Sequence, residues 1–110
     1  MTVAPLVPIE DLPPLLSREA RLLGLDVGTR TIGMALSDVT RSVATPYHTV
    51  RRTKFTADAS LIEAAIEEHD VGAVVIGLPL NLDGSEGPRA QSTRAFARNL
   101  AARIAVPILF

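Results

Sequence analysis

The sequence of 110 residues predicts a single α/β domain with the element order βββαβαβ. Two apolar runs, 22–25 and 32–36, flank a glycine-containing turn, which is the pattern of a β-hairpin. Residues 56–69 place their apolar side chains at helical spacing. Residues 71–76 are almost continuously apolar, as expected of a strand that is buried on both faces and parallel to the first. These features together favour a mixed sheet flanked by helices.

Composition excludes several classes of protein and site. The chain has no cysteine, so disulfides and thiolate metal sites are absent. Its formal net charge is −1, so any contact with nucleic acid must be local. No apolar run is long enough to cross a bilayer, and the first residues lack the basic segment of a secretory signal. We therefore expect a cytoplasmic protein with no membrane partner.

Proline marks the two least regular parts of the chain. Residues 1–20 contain 4 of the 8 prolines and are predicted to form an extended arm, outside a domain that spans 21–110. Pro46 falls within the third predicted strand, 42–52, and places that strand at an edge of the sheet. The basic residues at 51, 52 and 54 are most simply a solvated strand end, with a grip on phosphate as the alternative.

Two helices follow from periodicity and capping signals. The first is predicted over 56–69, with Thr56 as its N-cap and His69 as a C-terminal cation or a packed ring rather than a catalytic base. The second is predicted over 88–105, because proline is accepted in a first turn, with Ser85 as a capping residue. Residues 106–110 begin a last strand.

Asp26 is the main candidate for chemistry. It stands at the end of an otherwise apolar strand, where a carboxylate is costly to desolvate unless it is paired, hydrogen-bonded or bound to a cation. One interpretation is a metal ligand at the centre of the sheet. The other is a carboxylate that accepts the amides of its own turn, at Gly28 and Thr29. The residues alone leave both open.

A polar loop is predicted to share an edge of the sheet with Asp26. Gly77 closes the strand at 71–76, and the loop over 78–86 follows. In open α/β sheets, such loops border the ligand crevice at the carboxyl ends of the strands, and Asp26 lies at the same end of a neighbouring strand. Asn81, in this loop, is an amide between two leucines at a strand exit, which is an unusual choice for mere solvation, so it is a candidate ligand contact.

Two motifs together carry a resemblance to a known family. LGLDVGTRTIGMALSD at 23–38 and VVIGLPLNLDGSEGPRAQ at 74–91 resemble the YqgF family. These are ribonuclease H-like proteins, also described as Holliday-junction-resolvase-like and as candidate pre-16S rRNA nucleases. The similarity runs from about residue 21 to residue 110. It implies a ribonuclease H-like fold, with a mixed five-stranded sheet in the order 3-2-1-4-5.

The resemblance also implies a function and the residues that perform it. It implies a metal-dependent nuclease that uses Mg²⁺ or Mn²⁺, with 5′-end processing of pre-16S rRNA as its role and junction DNA as the alternative substrate. Asp26 matches the first metal ligand of the family and is predicted to be catalytic. Arg30, Asn81 and Arg89 are predicted to contact the substrate, Arg89 because it stands near a positive helix end. The loop-shaping residues are Gly28, Gly77, Pro79 and Gly84.

The family pattern predicts further elements that this sequence does not show. In the family the last strand continues into an acidic segment and a C-terminal helix with another acid, which have no match up to Phe110. The resemblance therefore implies a truncated chain that lacks the groups for efficient turnover. A sheet face without its helix would favour a homodimer or poor solubility.

Two other classes of function remain open at this stage. One is a non-catalytic nucleic-acid-binding module, which would show affinity without metal-dependent cleavage. The other is an actin-like nucleotide-binding protein, in which the turn after Asp26 would bind phosphate. That architecture needs a second phosphate-binding hairpin and a longer chain.

Overall fold

The computed structural model describes residues 20–110, which form one five-stranded mixed sheet and two helices. The arm predicted over 1–20 lies outside the described residues, apart from Ala20. The sheet has the predicted order β3-β2-β1-β4-β5, in which β4 is parallel to both β1 and β5. The elements are β1 (Arg21–Val27), β2 (Thr31–Ser37), β3 (Ala44–Arg51), α1 (Phe55–Glu68), β4 (Val71–Ile76), α2 (Pro88–Ala101) and β5 (Ile108–Leu109).

The predicted hairpin is formed by β1 and β2. Asp26 pairs with Gly33 in an antiparallel register, and the amide of Gly28 donates to the carbonyl of Thr31 at 2.8 Å. A Cβ atom at Gly28 would lie 3.1 Å from that carbonyl oxygen, so a larger residue would force the turn to shift. Glycine at this position therefore permits the tight connection that brings the two strands together.

Pro46 lies on an edge strand, as predicted. β3 pairs with β2 alone, and the register shifts between Met34 and Ala35, next to the proline. The strand begins at Ala44, two residues later than predicted, because the carboxylate of Asp38 accepts the amides of Ser42 (2.8 Å) and Val43 (3.3 Å) and holds those residues in a turn.

The predicted N-cap of the first helix is wrong. α1 begins at Phe55 after Lys54, whose side chain makes no capping hydrogen bond, and Thr56 lies inside the first turn. The start is instead stabilised by Asp58, which is buried and accepts hydrogen bonds from the Thr53 amide (3.2 Å) and hydroxyl (3.4 Å). A carboxylate that reaches back from α1 thus fixes the residue that precedes the helix, while no side chain of the described residues caps the amides of the first turn.

The second helix is shorter than predicted and is not capped by Ser85. Gly87 is the N-cap residue, and α2 ends at Ala101 rather than at residue 105. Arg103 then binds α1, at 2.8 Å from the Glu63 carboxylate and 3.2 Å from the Thr56 carbonyl, while the Ile104 side chain is buried. These tertiary contacts draw the chain away from the helix axis, and the final strand is only Ile108–Leu109.

The sheet has two unlike faces. Both helices pack on the face that carries Leu23, Leu25 and Val27 of β1, in one continuous core. The opposite face carries the alternate residues of β1 and a small cluster in which Leu22 and Val75 pack against the buried Ala73 and Leu109. Among the described residues, no helix covers this second face, which we call the helix-free face with reference to residues 20–110. No helix in the described part of the chain is long and apolar enough to span a membrane.

Candidate active site

A concave site opens on the helix-free face, at the carboxyl ends of β1 and β4. We call it the Asp26 cavity; its volume is about 650 Å³. The amide of Gly77 donates to the carbonyl of Leu25 at 3.0 Å, which joins the ends of the two parallel strands beneath it. The structure thus brings Asp26 and Gly77 together. The lining residues are Gly24, Leu25, Asp26, Gly33, Met34, Ala35, Pro46, Tyr47, His48, Thr49, Val75 and Gly77.

The Asp26 side chain is exposed in this cavity. Among residues 20–110, no side chain or amide donates a hydrogen bond to its carboxylate, and no cation lies within salt-bridge distance of it. The turn amide of Gly28 bonds to Thr31 instead, so the interpretation of Asp26 as the cap of its own turn has no support in the geometry. Opposite it, a Cβ atom at Gly33 would lie 3.7 Å from the Cβ of Asp26, so Gly33 keeps the approach to the carboxylate open.

A carboxylate with its oxygen atoms available is a suitable ligand for Mg²⁺ or Mn²⁺. In the part of the chain that the structure describes, no group of three or more Asp, Glu, His or Cys side chains could hold a metal ion. Asp26 alone is therefore not a complete metal centre among the described residues. Mg²⁺ is commonly held by one or two carboxylates together with water and substrate phosphates, so a single carboxylate fits part of such a site.

The far wall of the Asp26 cavity comes from β3, which was not assigned to the site from the sequence. Tyr47, His48 and Thr49 all line the cavity, although His48 had no evident partner in the sequence. The feature that could have indicated these residues is the edge position of β3 beside β2, where His48 pairs with Met34. Tyr47 also packs edge-on against His69, with ring centroids 4.9 Å apart, as expected of a histidine that serves packing.

The loop between β4 and α2 is held together by Asn81. Its side-chain amide donates to the Ser85 hydroxyl (3.0 Å), and its backbone amide donates to the Ser85 carbonyl (2.8 Å). Gly84, with a φ of 85°, closes the turn in the left-handed region and donates to the Asn81 carbonyl. Asn81 also lies against Gly87, where a Cβ atom would come within 3.1 Å of Oδ1. Asn81 therefore organises the loop, and its contact with substrate stays a prediction.

The acids of this loop are engaged locally. The hydroxyl and amide of Ser85 donate to Asp83 and hold the pKa of its carboxyl below the usual range. Arg94 donates to both carboxylate oxygens of Glu86, at 2.6 and 2.8 Å, which lowers the pKa of Glu86 and raises that of Arg94. These carboxylates serve the loop and its connection to α2, whereas that of Asp26 has no such partner.

A second concave site, the hairpin–helix cavity, lies between the β1–β2 turn and the first turns of α2. Its volume is about 200 Å³. Arg89 lines this cavity together with Gly28, so the structure places Arg89 apart from the lining of the Asp26 cavity. Arg30, Pro79, Asn81 and Gly84 line neither of the two. The lining residues are Val27, Gly28, Thr29, Arg52, Pro88, Arg89, Ser92 and Thr93.

Two residues of the hairpin–helix cavity were not assigned to a site from the sequence. Arg52 was interpreted as part of a solvated basic strand end, with a grip on phosphate as the alternative. In the structure its guanidinium donates to the Gly28 carbonyl (2.8 Å) and lies over the Phe96 ring, 5.4 Å from the centroid. Thr93 was not considered. The sequence feature that could have indicated Thr93 is its spacing of four residues from Arg89, which puts both residues on one face of a helix.

Comparison with solved structures defines the class of fold. The structure titled "T. thermophilus RuvC in complex with Holliday junction substrate" aligns with 83% of this chain and 64% of its own, with a TM-score of 0.52 and 17% sequence identity. The sheet order, the placement of the helices and this likeness show a ribonuclease H-like fold. The family profile described as "RuvX: Holliday junction resolvase" matches residues 20–110. The chain belongs to this family, which confirms the resemblance found in the two motifs.

Curated relatives share the same family. A protein of Paramagnetospirillum magneticum is 54% identical over 106 residues, which are 96% of this chain and 68% of the relative. A protein of Beijerinckia indica subsp. indica is 53% identical over 104 residues, which are 94% of this chain and 63% of the relative. Both are named "Putative pre-16S rRNA nuclease". The chain thus spans about two thirds of the length of these relatives.

Proposed function

We propose that this chain forms the Asp26-bearing part of a metal-dependent nuclease that hydrolyses phosphodiester bonds in the 5′-end processing of pre-16S rRNA. The observation that carries the proposal is the exposed Asp26 carboxylate, without a partner among the described residues, in a concave site at the carboxyl ends of two parallel strands. The names of the relatives point to pre-16S rRNA as the substrate. Junction DNA is the second candidate, because the family description and the RuvC complex both point to it.

The chemistry assigned to Asp26 is that of a metal ligand. Its carboxylate oxygens would hold a Mg²⁺ or Mn²⁺ ion, which supplies positive charge to activate water and to stabilise the leaving oxygen. Gly24, Gly33 and Gly77 line the cavity without side chains, so a phosphodiester can approach the carboxylate closely. Arg30, Asn81 and Arg89 remain the proposed substrate contacts. Such maturation would take place in the cytoplasm.

One carboxylate does not support efficient turnover. Nucleases with two metal ions about 4 Å apart need several oxygen ligands to hold both against water. The described residues offer Asp26 without a second acid beside it. We therefore expect this chain to bind a divalent cation weakly and to show no appreciable Mg²⁺- or Mn²⁺-dependent cleavage.

The test is Mn²⁺ binding to the full chain, measured by calorimetry with and without an RNA that contains the 5′ leader of 16S rRNA, and again with a four-way DNA junction. Asp26→Asn should abolish specific Mn²⁺ binding and the gain in nucleic-acid affinity that Mn²⁺ provides. Asp70→Asn is the matched control, because Asp70 is also an exposed aspartate but stands just before β4, at the opposite end of that strand.

Unchanged Mn²⁺ binding by Asp26→Asn would overturn the metal site. Robust cleavage that Asp26→Asn abolishes would contradict the expectation of no turnover while supporting the site. The order of the affinities for RNA and junction DNA decides between the two substrates.

A non-catalytic nucleic-acid-binding module is the second candidate function. It is favoured by the lack of an acidic cluster around Asp26 among residues 20–110. In that case nucleic-acid affinity would be independent of Mn²⁺, and Asp26→Asn would bind like the unmodified chain.

A further inference from the structure

We propose that the hairpin–helix cavity binds a backbone phosphate of the nucleic acid, at a subsite separate from Asp26. This inference rests on the proposed function, since it assumes that the ligand is nucleic acid. It depends on three independent features of the cavity: two arginines without an ion pair among the described residues, the uncapped start of α2, and the Thr93 side chain, which lines the cavity with no hydrogen-bond partner among those residues.

The cavity is electropositive. Arg52 and Arg89 both line it, and neither forms an ion pair with a carboxylate of residues 20–110. Other arginines in the same region are neutralised: Arg94 binds Glu86, and Arg103 binds Glu63. Arg52 is also held in place, because it donates to the Gly28 carbonyl and lies over the ring of Phe96. A fixed guanidinium loses little freedom when it binds a phosphate.

The start of α2 adds to this field. The helix has 14 residues, with Gly87 as N-cap, Pro88 in its first turn, no side-chain cap and no acidic residue in that turn. The first hydrogen bond within the helix runs from the Gln91 amide to the Gly87 carbonyl. The amides of Arg89 and Ala90 thus lack a carbonyl of the helix as acceptor, and an anion at this end is favoured by the helix dipole.

Thr93 is the observation that points to a ligand. The residue is only 2% exposed, and it lines the cavity one turn after Arg89. Hydroxyls in helices usually bond back to a carbonyl four residues earlier, as Ser60 does to the Thr56 carbonyl at 2.9 Å. The Thr93 hydroxyl makes no such bond to any residue of 20–110. The hydroxyl is thus left free to donate to a ligand, and an anion in the cavity would accept its hydrogen bond.

The dimensions and position suit a phosphate group. A volume of about 200 Å³ exceeds the roughly 30 Å³ of one water several-fold, so the cavity can hold a tetrahedral oxyanion. Gly28 and Thr29, in its wall, follow Asp26 along the same turn. The two cavities thus flank one hairpin on opposite faces of the sheet, and a nucleic-acid strand that crosses this edge would place one phosphate in each.

Binding of the 16S leader RNA in EDTA, as a function of salt, tests the subsite without metal. Arg89→Gln should weaken binding and reduce the slope of log K against log salt by about 1, because one phosphate contact is lost. Thr93→Val, which keeps the buried shape, should weaken binding about tenfold through loss of a hydrogen bond to a charged group. Arg98→Gln is the matched control, since Arg98 lies exposed in the last turn of the same helix.

A second measurement does not depend on RNA. Titration of the full chain with inorganic phosphate, followed by amide chemical shifts, should move the Arg89 and Ala90 resonances, and Thr93→Val should reduce these shifts. Far-UV circular dichroism verifies that the variants fold.

The outcomes separate this inference from the proposed nuclease. Equal weakening by Arg89→Gln and Arg98→Gln, with no effect of Thr93→Val, would overturn the subsite. Loss of RNA binding in EDTA by Asp26→Asn would also overturn it, because all affinity would then depend on the other cavity. If Asp26→Asn binds Mn²⁺ normally while Arg89→Gln and Thr93→Val still weaken RNA binding, the metal site fails and the phosphate subsite stands.

Discussion

The two faces of the sheet are made by the same strands but differ in what they bury. In β1, Leu23 and Leu25 are 0% and 3% exposed beneath the helices, whereas Asp26 is exposed on the helix-free face. Gly24 and Gly33 on that face provide no side chain to cover the carboxylate. One face therefore supplies stability through close packing, and the other leaves room for a ligand. Alternation of side chains along a strand lets a chain of this size do both.

The largest difference in stability between the two faces should appear when two adjacent leucines are each replaced by alanine. Leu23→Ala removes a fully buried side chain from the main core and should cost about 2–5 kcal/mol of the free energy of unfolding. Leu22→Ala, on the helix-free face, removes a half-buried side chain from the small cluster and should cost less than about 2 kcal/mol. Urea denaturation followed by circular dichroism measures both. Equal losses would show that the helix-free face is packed as firmly as the core.

Two aspartates extend the comparison of the two faces, with smaller expected effects on stability. Asp58 is 2% exposed and accepts two hydrogen bonds from Thr53, so Asp58→Ala should cost about 1–2 kcal/mol through loss of the helix start. Asp26→Ala removes an exposed carboxylate with no partner in the described chain, and stability should change by less than about 0.5 kcal/mol.

Thermal and urea unfolding of these two variants provide the measurement, and Thr53→Val is the control, because it removes one of the two hydrogen bonds to Asp58. A strongly destabilised Asp26→Ala variant would mean that its carboxylate supports the fold, which would contradict a role reserved for ligand binding.

Much of the fold was predictable because helices and strands differ in the spacing of their apolar residues along the sequence. The glycine turn, the apolar run of β4 and the helical spacing of α1 each specify one element, while the order of the strands came from the two family motifs. The errors fell at the ends of helices and strands. Thr56 has the residue type of a cap, but the helix start is held by buried Asp58, which binds Thr53. α2 ends at Ala101, and Arg103 beyond it binds α1. Such contacts join residues distant in sequence, which local patterns do not contain.

The candidate site was less predictable than the fold. Asp26 stood out because a carboxylate interrupts an apolar strand, and the loop after Gly77 stood out because it leaves a parallel strand at the same edge. The walls of both cavities come from elsewhere in the chain. His48 belongs to an edge strand, and Thr93 resembles an ordinary helix residue except that its hydroxyl has no partner within residues 20–110. Which residues line a cavity depends on tertiary packing.

The smallest predicted effect is on the pH dependence of stability. It concerns Asp38, which lies at the opposite end of the hairpin from Asp26. The Thr40 hydroxyl (2.7 Å) and the Ser42 amide (2.8 Å) donate to Asp38 and lower its pKa from the ordinary value, the hydroxyl contributing most. A carboxyl whose pKa is lower in the folded state stabilises the fold above its unfolded pKa of about 4, and that stabilisation is lost as the pH falls through the folded value.

Asp38→Asn should therefore flatten the decline of stability below about pH 4, and Thr40→Val, which removes the leading cause, should flatten it in part. Urea unfolding between about pH 2 and pH 6 measures the slope. A slope unchanged in Asp38→Asn would mean that the turn does not favour the charged carboxylate. The contrast between a carboxylate used by its own turn and one held open at the other end of the hairpin would then lose its energetic basis.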